Sequence, residues 1–435
     1  MRHRVLSGIG LALAVAFAVL PTAGAAVATC GGAEATIVGS GGDDELIGTD
    51  GPDVIVAFGG DDYIDAGEGD DIVCAGAGND IVVGGLGNDT LRGQAGDDDL
   101  FGDRGDCIDV LDPSLDIATR PPEFLDCDND FVGGEDVITG GDGSDFVAGG
   151  AQSDRLFGGE GDDTIFGGLT NGPDHLDLMW GAGGADTIWS VGGDARIFGG
   201  EGDDILRARG NAGGLHRIFG GTGDDDFEYR SGGGDVEYFG GDGNDSGSLF
   251  TTGQATFYGG PGDDTLPGGR ADTGPFRAYG GPGEDVMGVP NGATGTVILE
   301  GGDDNDTLVS RNPLAIIRGG DGDDDMLGFG LRGNQGNDRL HVETFAPAEP
   351  SLGGPGNDLI IVGGGRNDAQ VRGNAGDDQI FVAAAFFDGS VDGGPGTDAC
   401  GAPISDGSVT RCELPQDTRP WDSFELDLLA IIWHD

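Results

Sequence analysis

From Gly39 to Phe101 an apolar residue returns at every ninth position without a slip: Leu46, Ile55, Ile64, Val73, Val82, Leu91 and Leu100. Most of what lies between them is Gly and Asp, residues that weaken both helices and strands. In the nonamers that begin at Gly39, position six is always Asp and position four always Gly, as in "GGLGNDTLR", while positions one and two drift. Three residues around position eight suffice for a minimal strand with one inward side chain. The six before them suit a tight turn whose glycines allow positive φ. Two nonamers then complete one coil, coils stack as parallel strands, and the position-eight side chains fill a narrow core. The predicted class is all-β, a right-handed parallel β-roll or β-solenoid with nonapeptide repeats first and coils of about 20 residues later.

Stacking has an electrostatic consequence. The position-six residues Asp44, Asp53, Asp62, Asp71, Asp80, Asp89 and Asp98 fall into a column along each edge, and carboxylates about 5 Å apart repel one another. A hard divalent cation held by carboxylate and carbonyl oxygens removes that repulsion, and calcium tolerates irregular oxygen cages better than magnesium does. At this point the nonamers resemble the haemolysin-type calcium-binding repeats, also called repeats-in-toxin (RTX), with pattern G-G-x-G-x-D-x-apolar-x. The resemblance implies a β-roll with several Ca2+ ions between adjacent coils, held by turn carbonyls and by position-six Asp from two turns.

The pattern changes along the chain. Residues 30–38 keep the register but place Ala35 at the ligand position, as a cap would, and at Cys107 a thiol replaces the Asp. Residues 111–130, with Pro113, Pro121 and Pro122, are expected to loop out. Their "DCDND" lacks the glycine and closing glutamate of an EF-hand. Nonamers resume with Asp136, Asp145, Asp154 and Asp163. Thereafter the full motif recurs once per coil, with candidate ligands Asp186, Asp204, Asp225, Asp245, Asp264, Asp285, Asp306, Asp324, Asp338, Asp358, Asp378 and Asp398. Two residues before most of these motifs an apolar residue persists: Ile197, Ile218, Tyr238, Phe257, Leu299, Ile317, Leu331, Val371 and Val391. The second strand of each coil therefore persists while its metal turn becomes a looser loop, which predicts a ladder on one edge only. The expected organisation is a leader (1–28), a nonapeptide roll (29–110), a disulfide-clamped insertion (111–130), a continued roll (131–401), and a terminal hairpin with a capping tail (402–435). In that tail Trp421, Phe424, Leu428 and Ile431 or Ile432 are spaced like one helix face.

Composition narrows the function. Of 435 residues 93 are Gly, and 79 acids against 21 bases give a net charge of -58, which argues against a nucleic-acid partner. Basic "MRHRVLSG", the apolar run Ile9–Leu20 and a small-residue site at Ala23–Ala25 or Ala26–Ala28 form a secretory signal. The run is too short to span a bilayer, so no membrane span is expected after cleavage. The six cysteines favour disulfides in an exported chain. The expected pairs are Cys107–Cys127 across the insertion, Cys400–Cys412 in the terminal hairpin, and Cys30–Cys74 by elimination. No H-E-x-x-H, G-x-S-x-G or Walker-type loop occurs, and no enzyme is expected. Arg104-Gly105-Asp106 and the sequons at Asn88, Asn244 and Asn305 arise easily in a chain of this composition. The reading is a secreted or cell-surface-associated calcium-binding repeat protein that folds on binding Ca2+. A calcium-stiffened adhesin or spacer with a protein or glycan partner is the alternative, and a non-catalytic relative of a secreted hydrolase the remoter one.

Overall fold

The computed structural model describes residues 27–103, 133–169, 175–210, 214–271, 273–289, 295–343, 350–363, 366–367, 369–383, 386–387, 389–401 and 408–412. Among these residues there is no helix, and the chain is an all-β parallel β-solenoid of the β-roll kind. It divides into two compact units, Met1–Thr164 and Ile165–Asp435. The leader, the insertion with Cys107 and Cys127, the Arg104-Gly105-Asp106 tripeptide and the apolar tail lie outside the described residues.

In the first unit strands alternate between two sheets. Glu45–Thr49, Tyr63–Glu68, Ile81–Leu86 and Asp99–Asp103 pair in parallel in one. Val54–Gly59, Ile72–Ala77, Thr90–Ala95, Val137–Asp142 and Arg155–Glu160 pair in the other. Leu46 stands beside Ile64 and Ile55 beside Val73, so one coil is two nonamers. Position eight is the core: Leu46 is 6% exposed and Ile55, Ile64, Val73, Val82, Leu91 and Leu100 are 0% exposed. Position one also points inward, two residues on along the pleat, and is held to Ala57, Ala66, Ala75 or glycine. One large buried side chain per nonamer is a small core for nine ordered residues, so apolar burial alone does not hold the turns.

The N-terminal segment only partly continues the coils. Ile37–Val38 pairs with Ile55–Val56 in register. Before it, Thr29–Cys30 and Ala33–Glu34 form a small antiparallel hairpin. Cys30 is buried with Val56 and Cys74, the outward residues of their strands, and the Cys30–Cys74 disulfide fixes the hairpin over that outer face. At the gap the coil register steps by 47 residues, from Asp89 to Asp136, in place of 18, from Asp71 to Asp89. The excess of 29 residues equals the length of segment 104–132, so the coils on either side stack as if it were not there. Asp103 secures the junction, its carboxylate accepting the N–H groups of Gly134 (3.0 Å) and Ala151 (2.6 Å).

The second unit has the same two-sheet architecture with coils of unequal length. Met179, Ile197, Ile218, Tyr238 and Phe257 are neighbours on consecutive strands of one sheet, and all are 0% exposed. The persisting second strand therefore fills the core. Its outer face carries a column of parallel rings, Trp180, Phe198, Phe219, Phe239, Tyr258 and Tyr279, with centroids 4.8–5.4 Å apart. At the C-terminal end the structure corrects one expectation. Ser408–Thr410 pairs in parallel with Ser390–Asp392, so it is a further solenoid strand and not half of a hairpin. The Cys400–Cys412 disulfide ties this last strand to the other sheet's Ala399–Gly401.

Candidate metal-binding turns

Each turn is shaped by its glycines. At position four, Gly87 has φ 137°, and a Cβ there would lie 1.8 Å from the carbonyl oxygen of Gly69 one coil earlier. Both conformation and space thus demand glycine. Position two is also left-handed, and non-glycine residues adopt that conformation at both positions: Phe58 (φ 83°), Gln94 (φ 86°) and Asn334 (φ 80°) at position two, Gln152 (φ 76°) and Asp304 (φ 78°) at position four. At position one a Cβ on Gly84 would lie 2.4 Å from Oδ2 of Asp89, its own position-six residue.

The position-six aspartates form continuous ladders. Each Oδ1 accepts the backbone N–H of the position-six Asp one coil earlier. In the first unit Asp44, Asp62, Asp80, Asp98, Asp145 and Asp163 make one ladder. Asp53, Asp71, Asp89, Asp136 and Asp154 make the other. In the second unit one ladder runs from Asp186 through Asp204, Asp225, Asp245, Asp264, Asp285, Asp306, Asp324, Asp338, Asp358 and Asp378 to Asp398, with N···O distances of 2.8–3.0 Å. Among the described residues there are two such ladders in the first unit and one in the second, the arrangement expected from the doubled period.

The second oxygen of these carboxylates is the unusual feature. In the first unit Oδ2 of Asp62, Asp71, Asp80, Asp89, Asp98, Asp136 and Asp145 is buried without a hydrogen-bond partner. The same holds in the second unit from Asp204 through Asp398 along the ladder. Buried carboxylate oxygens are ordinarily satisfied, so a periodic row of bare ones calls for a cation. From Asp62 to Asp145 and from Asp204 to Asp378 along the ladders, burial is the main force pushing the carboxyls up, partly offset by the N–H that each accepts, with repulsion from neighbouring aspartates added. Asp71 and Asp80 titrate at about 6, Asp89 and Asp98 at about 7, and Asp136 at about 8. In the second unit Asp204 and Asp225 reach about 7, and Asp264 and Asp306 about 8.

The first member of each ladder differs. Oδ2 of Asp44 accepts the Ser40 N–H at 2.5 Å. Asp53 receives the Thr49 N–H and hydroxyl on Oδ2, each at 2.8 Å, and the Thr36 hydroxyl on Oδ1 at 2.9 Å. Ser40 and Thr49 are the position-two residues of these turns, and neither is left-handed. In the turns of Asp62 and Asp98, where Phe58 and Gln94 are left-handed at position two, Oδ2 is bare.

A second ladder escaped the sequence reading. Position-five side chains accept the N–H of position five one coil later, opposite in sense to the aspartates beside them. Asp43 accepts from Asp61, Asp61 from Asn79, and Asn79 from Asp97, at 3.0–3.1 Å. Asp203, Asp224 and Asn244 accept in the same way in the second unit. The signal was available, since position five is Asp or Asn in every strict nonamer except the one with Pro52. The sequon residues Asn88 and Asn244 are rungs of this ladder.

Among the described residues no three His, Cys, Asp or Glu side chains converge on one point. A cation at these turns would thus draw mainly on main-chain oxygens beside one or two carboxylates. Such carbonyls are present: those of Gly67 and Gly69 abut positions two and four of the next coil so closely that a Cβ on Gly85 or Gly87 would lie 1.9 or 1.8 Å away. An all-oxygen set of carbonyls and carboxylates suits calcium and not zinc. No curated protein matched the chain. A family profile described as the RTX calcium-binding nonapeptide repeat (4 copies) matches residues 38–73, 75–106, 132–156, 139–172, 180–212 and 251–272, in both units. With the same glycine turns and aspartate ladders extending through the described coils, the chain carries RTX calcium-binding nonapeptide repeats in both units.

Proposed function

We propose that this is a secreted calcium-binding protein whose β-roll forms on binding Ca2+. The observation that carries the reading is the row of buried, partnerless Oδ2 atoms on successive position-six aspartates. The proposed ligands are these carboxylates together with turn carbonyls, from Asp62 onward in one first-unit ladder and Asp71 in the other, and along the single ladder of the second unit. Asp44 and Asp53, whose Oδ2 atoms are already held by their own turns, would close the ladders. Bound calcium supplies positive charge to a site where desolvation and mutual repulsion oppose ionised carboxylates. The chain's own residues do the rest. Glycines at positions one, two and four admit close stacking, position eight anchors each strand, and the position-five ladder holds successive turns in register.

Without the ion, ionised columns favour an expanded chain, and calcium binding supplies folding free energy. Extracellular calcium modules bind with dissociation constants of about 10⁻⁴–10⁻³ M, which suits folding outside the cell. Export is supported by the N-terminal leader pattern, and the Cys30–Cys74 and Cys400–Cys412 disulfides suit an oxidising compartment. Calcium stoichiometry by equilibrium dialysis tests the ligand assignment. Replacing Asp80, Asp89 and Asp98 with Asn lowers the number of ions bound if the assignment holds; an unchanged number would remove it.

A further inference from the structure

We infer that the two units answer calcium separately, the coils of residues 176–282 staying ordered at free calcium levels that release the first unit. This rests on the calcium-folding reading and adds to it a graded response. In the first unit both edges are built from aspartate turns, and from Asp53 onward the described connections between its sheets carry a buried carboxylate. Among the described residues of the second unit, one edge shows no such column. There, side chains close the coils directly. Asp194 Oδ1 accepts the Leu215 N–H at 2.9 Å, and Asp235 Oδ1 accepts the Gln254 N–H at 2.7 Å. Ser231 Oγ accepts the N–H groups of Gly233 and Gly234, and the Thr251 hydroxyl donates to the Gly234 carbonyl. These bonds are complete without a metal ion.

The same coils have further ion-independent support. Strands Asp194–Glu201, Leu215–Thr222 and Asp235–Asp242 are 8 residues long, against 6 for Ile72–Ala77 and Thr90–Ala95. Each coil therefore carries a longer run of inter-strand hydrogen bonds. Phe227, Tyr238 and Phe257 stack inside, with centroids 3.6 Å apart for the first pair and 5.6 Å for the second. The outer column from Trp180 to Tyr279 joins six successive strands by ring contacts. Aromatic stacking, inside the core or on the outer face, does not depend on a bound ion.

The test is hydrogen–deuterium exchange with peptide resolution on the full mature chain, at a series of buffered free-calcium concentrations. Amides of Ile72–Ala77 and Thr90–Ala95 are expected to lose protection first as calcium is withdrawn. Those of Leu215–Thr222 and Asp235–Asp242 should hold to about tenfold lower free calcium. A double variant, Phe219→Ala with Phe239→Ala, should move the second transition toward the first and leave the first where it was. Coincident transitions in the unsubstituted chain, or loss of the second unit first, would overturn the inference while leaving calcium folding intact. Protection independent of calcium in both units would overturn the calcium-folding reading and this inference with it.

Discussion

If repulsion and desolvation of the aspartate columns are what calcium relieves, protons should do part of the same work. Asp89 titrates at about 7 in the folded coil, raised from 3.8 chiefly by burial. An acid whose folded pKa is raised binds more protons in the folded state. Its penalty is absent well below pH 3.8, grows as pH rises, and is complete above about 7. Between pH 8 and pH 5 the folded form of this one residue regains roughly two pH units of linkage, about 2–3 kcal/mol. Asp98 and Asp136, at about 7 and about 8, act in the same direction. Relaxation of the turns reduces each figure, yet a few such residues together match the whole stability of a typical domain, about 5–15 kcal/mol. In chelator, far-ultraviolet circular dichroism should therefore show strand content increasing as pH falls from 8 to 5, with light scattering excluding aggregation above the pI of about 4.1. The variant with Asp80, Asp89 and Asp98 replaced by Asn should need a smaller drop in pH. Strand content in chelator that does not change between pH 8 and 5 would refute the electrostatic argument.

Other consequences are more local. Gly87→Ala puts a Cβ 1.8 Å from the Gly69 carbonyl at φ 137° and should raise the calcium midpoint of folding far more than Gly41→Ala, where a Cβ meets nothing within 4 Å. Gln94→Gly removes a non-glycine residue from φ 86° and should stabilise the calcium-loaded roll by about 1 kcal/mol in urea unfolding. Burial, with the charges of Asp245, Asp225 and Asp264 added, holds the ionisation of the Tyr238 phenol well above the ordinary range. Terbium bound in place of calcium should thus emit on tyrosine excitation, and Tyr238→Phe should remove a large part of that emission at unchanged stoichiometry.

Much of this architecture is legible in the sequence because the repeat is strict where space is least. Position eight must fill the core, as Leu91 does at 0% exposure, and position four, from Gly60 to Gly96 in the strict repeats, is left-handed against the backbone of the coil before it. The single ladder of the second unit followed from the apolar residues two before each motif, such as Ile197 and Ile218, which lie paired and buried. Less visible was anything that depends on what stacks on what. Phe198, Phe219 and Phe239 directly precede their motifs, but only the parallel register shows that their rings form one column. Asp44 and Asp53 look like every other position-six residue, and the difference lies in the conformation of Ser40 and Thr49. The position-five ladder is hidden wherever the motif is written with an unspecified residue before the Asp. The terminal disulfide suggested a hairpin because Cys400 and Cys412 are 12 residues apart, a distance that also fits the remainder of one coil.

The central claim is that calcium, specifically, completes the fold. The direct measurement is far-ultraviolet circular dichroism of the mature chain at neutral pH during a calcium titration from chelator, with magnesium titrated in parallel. The account predicts a large gain of strand signal with calcium near or below millimolar concentration and little with magnesium. A strand signal already complete in chelator, or an equal response to magnesium, would contradict it.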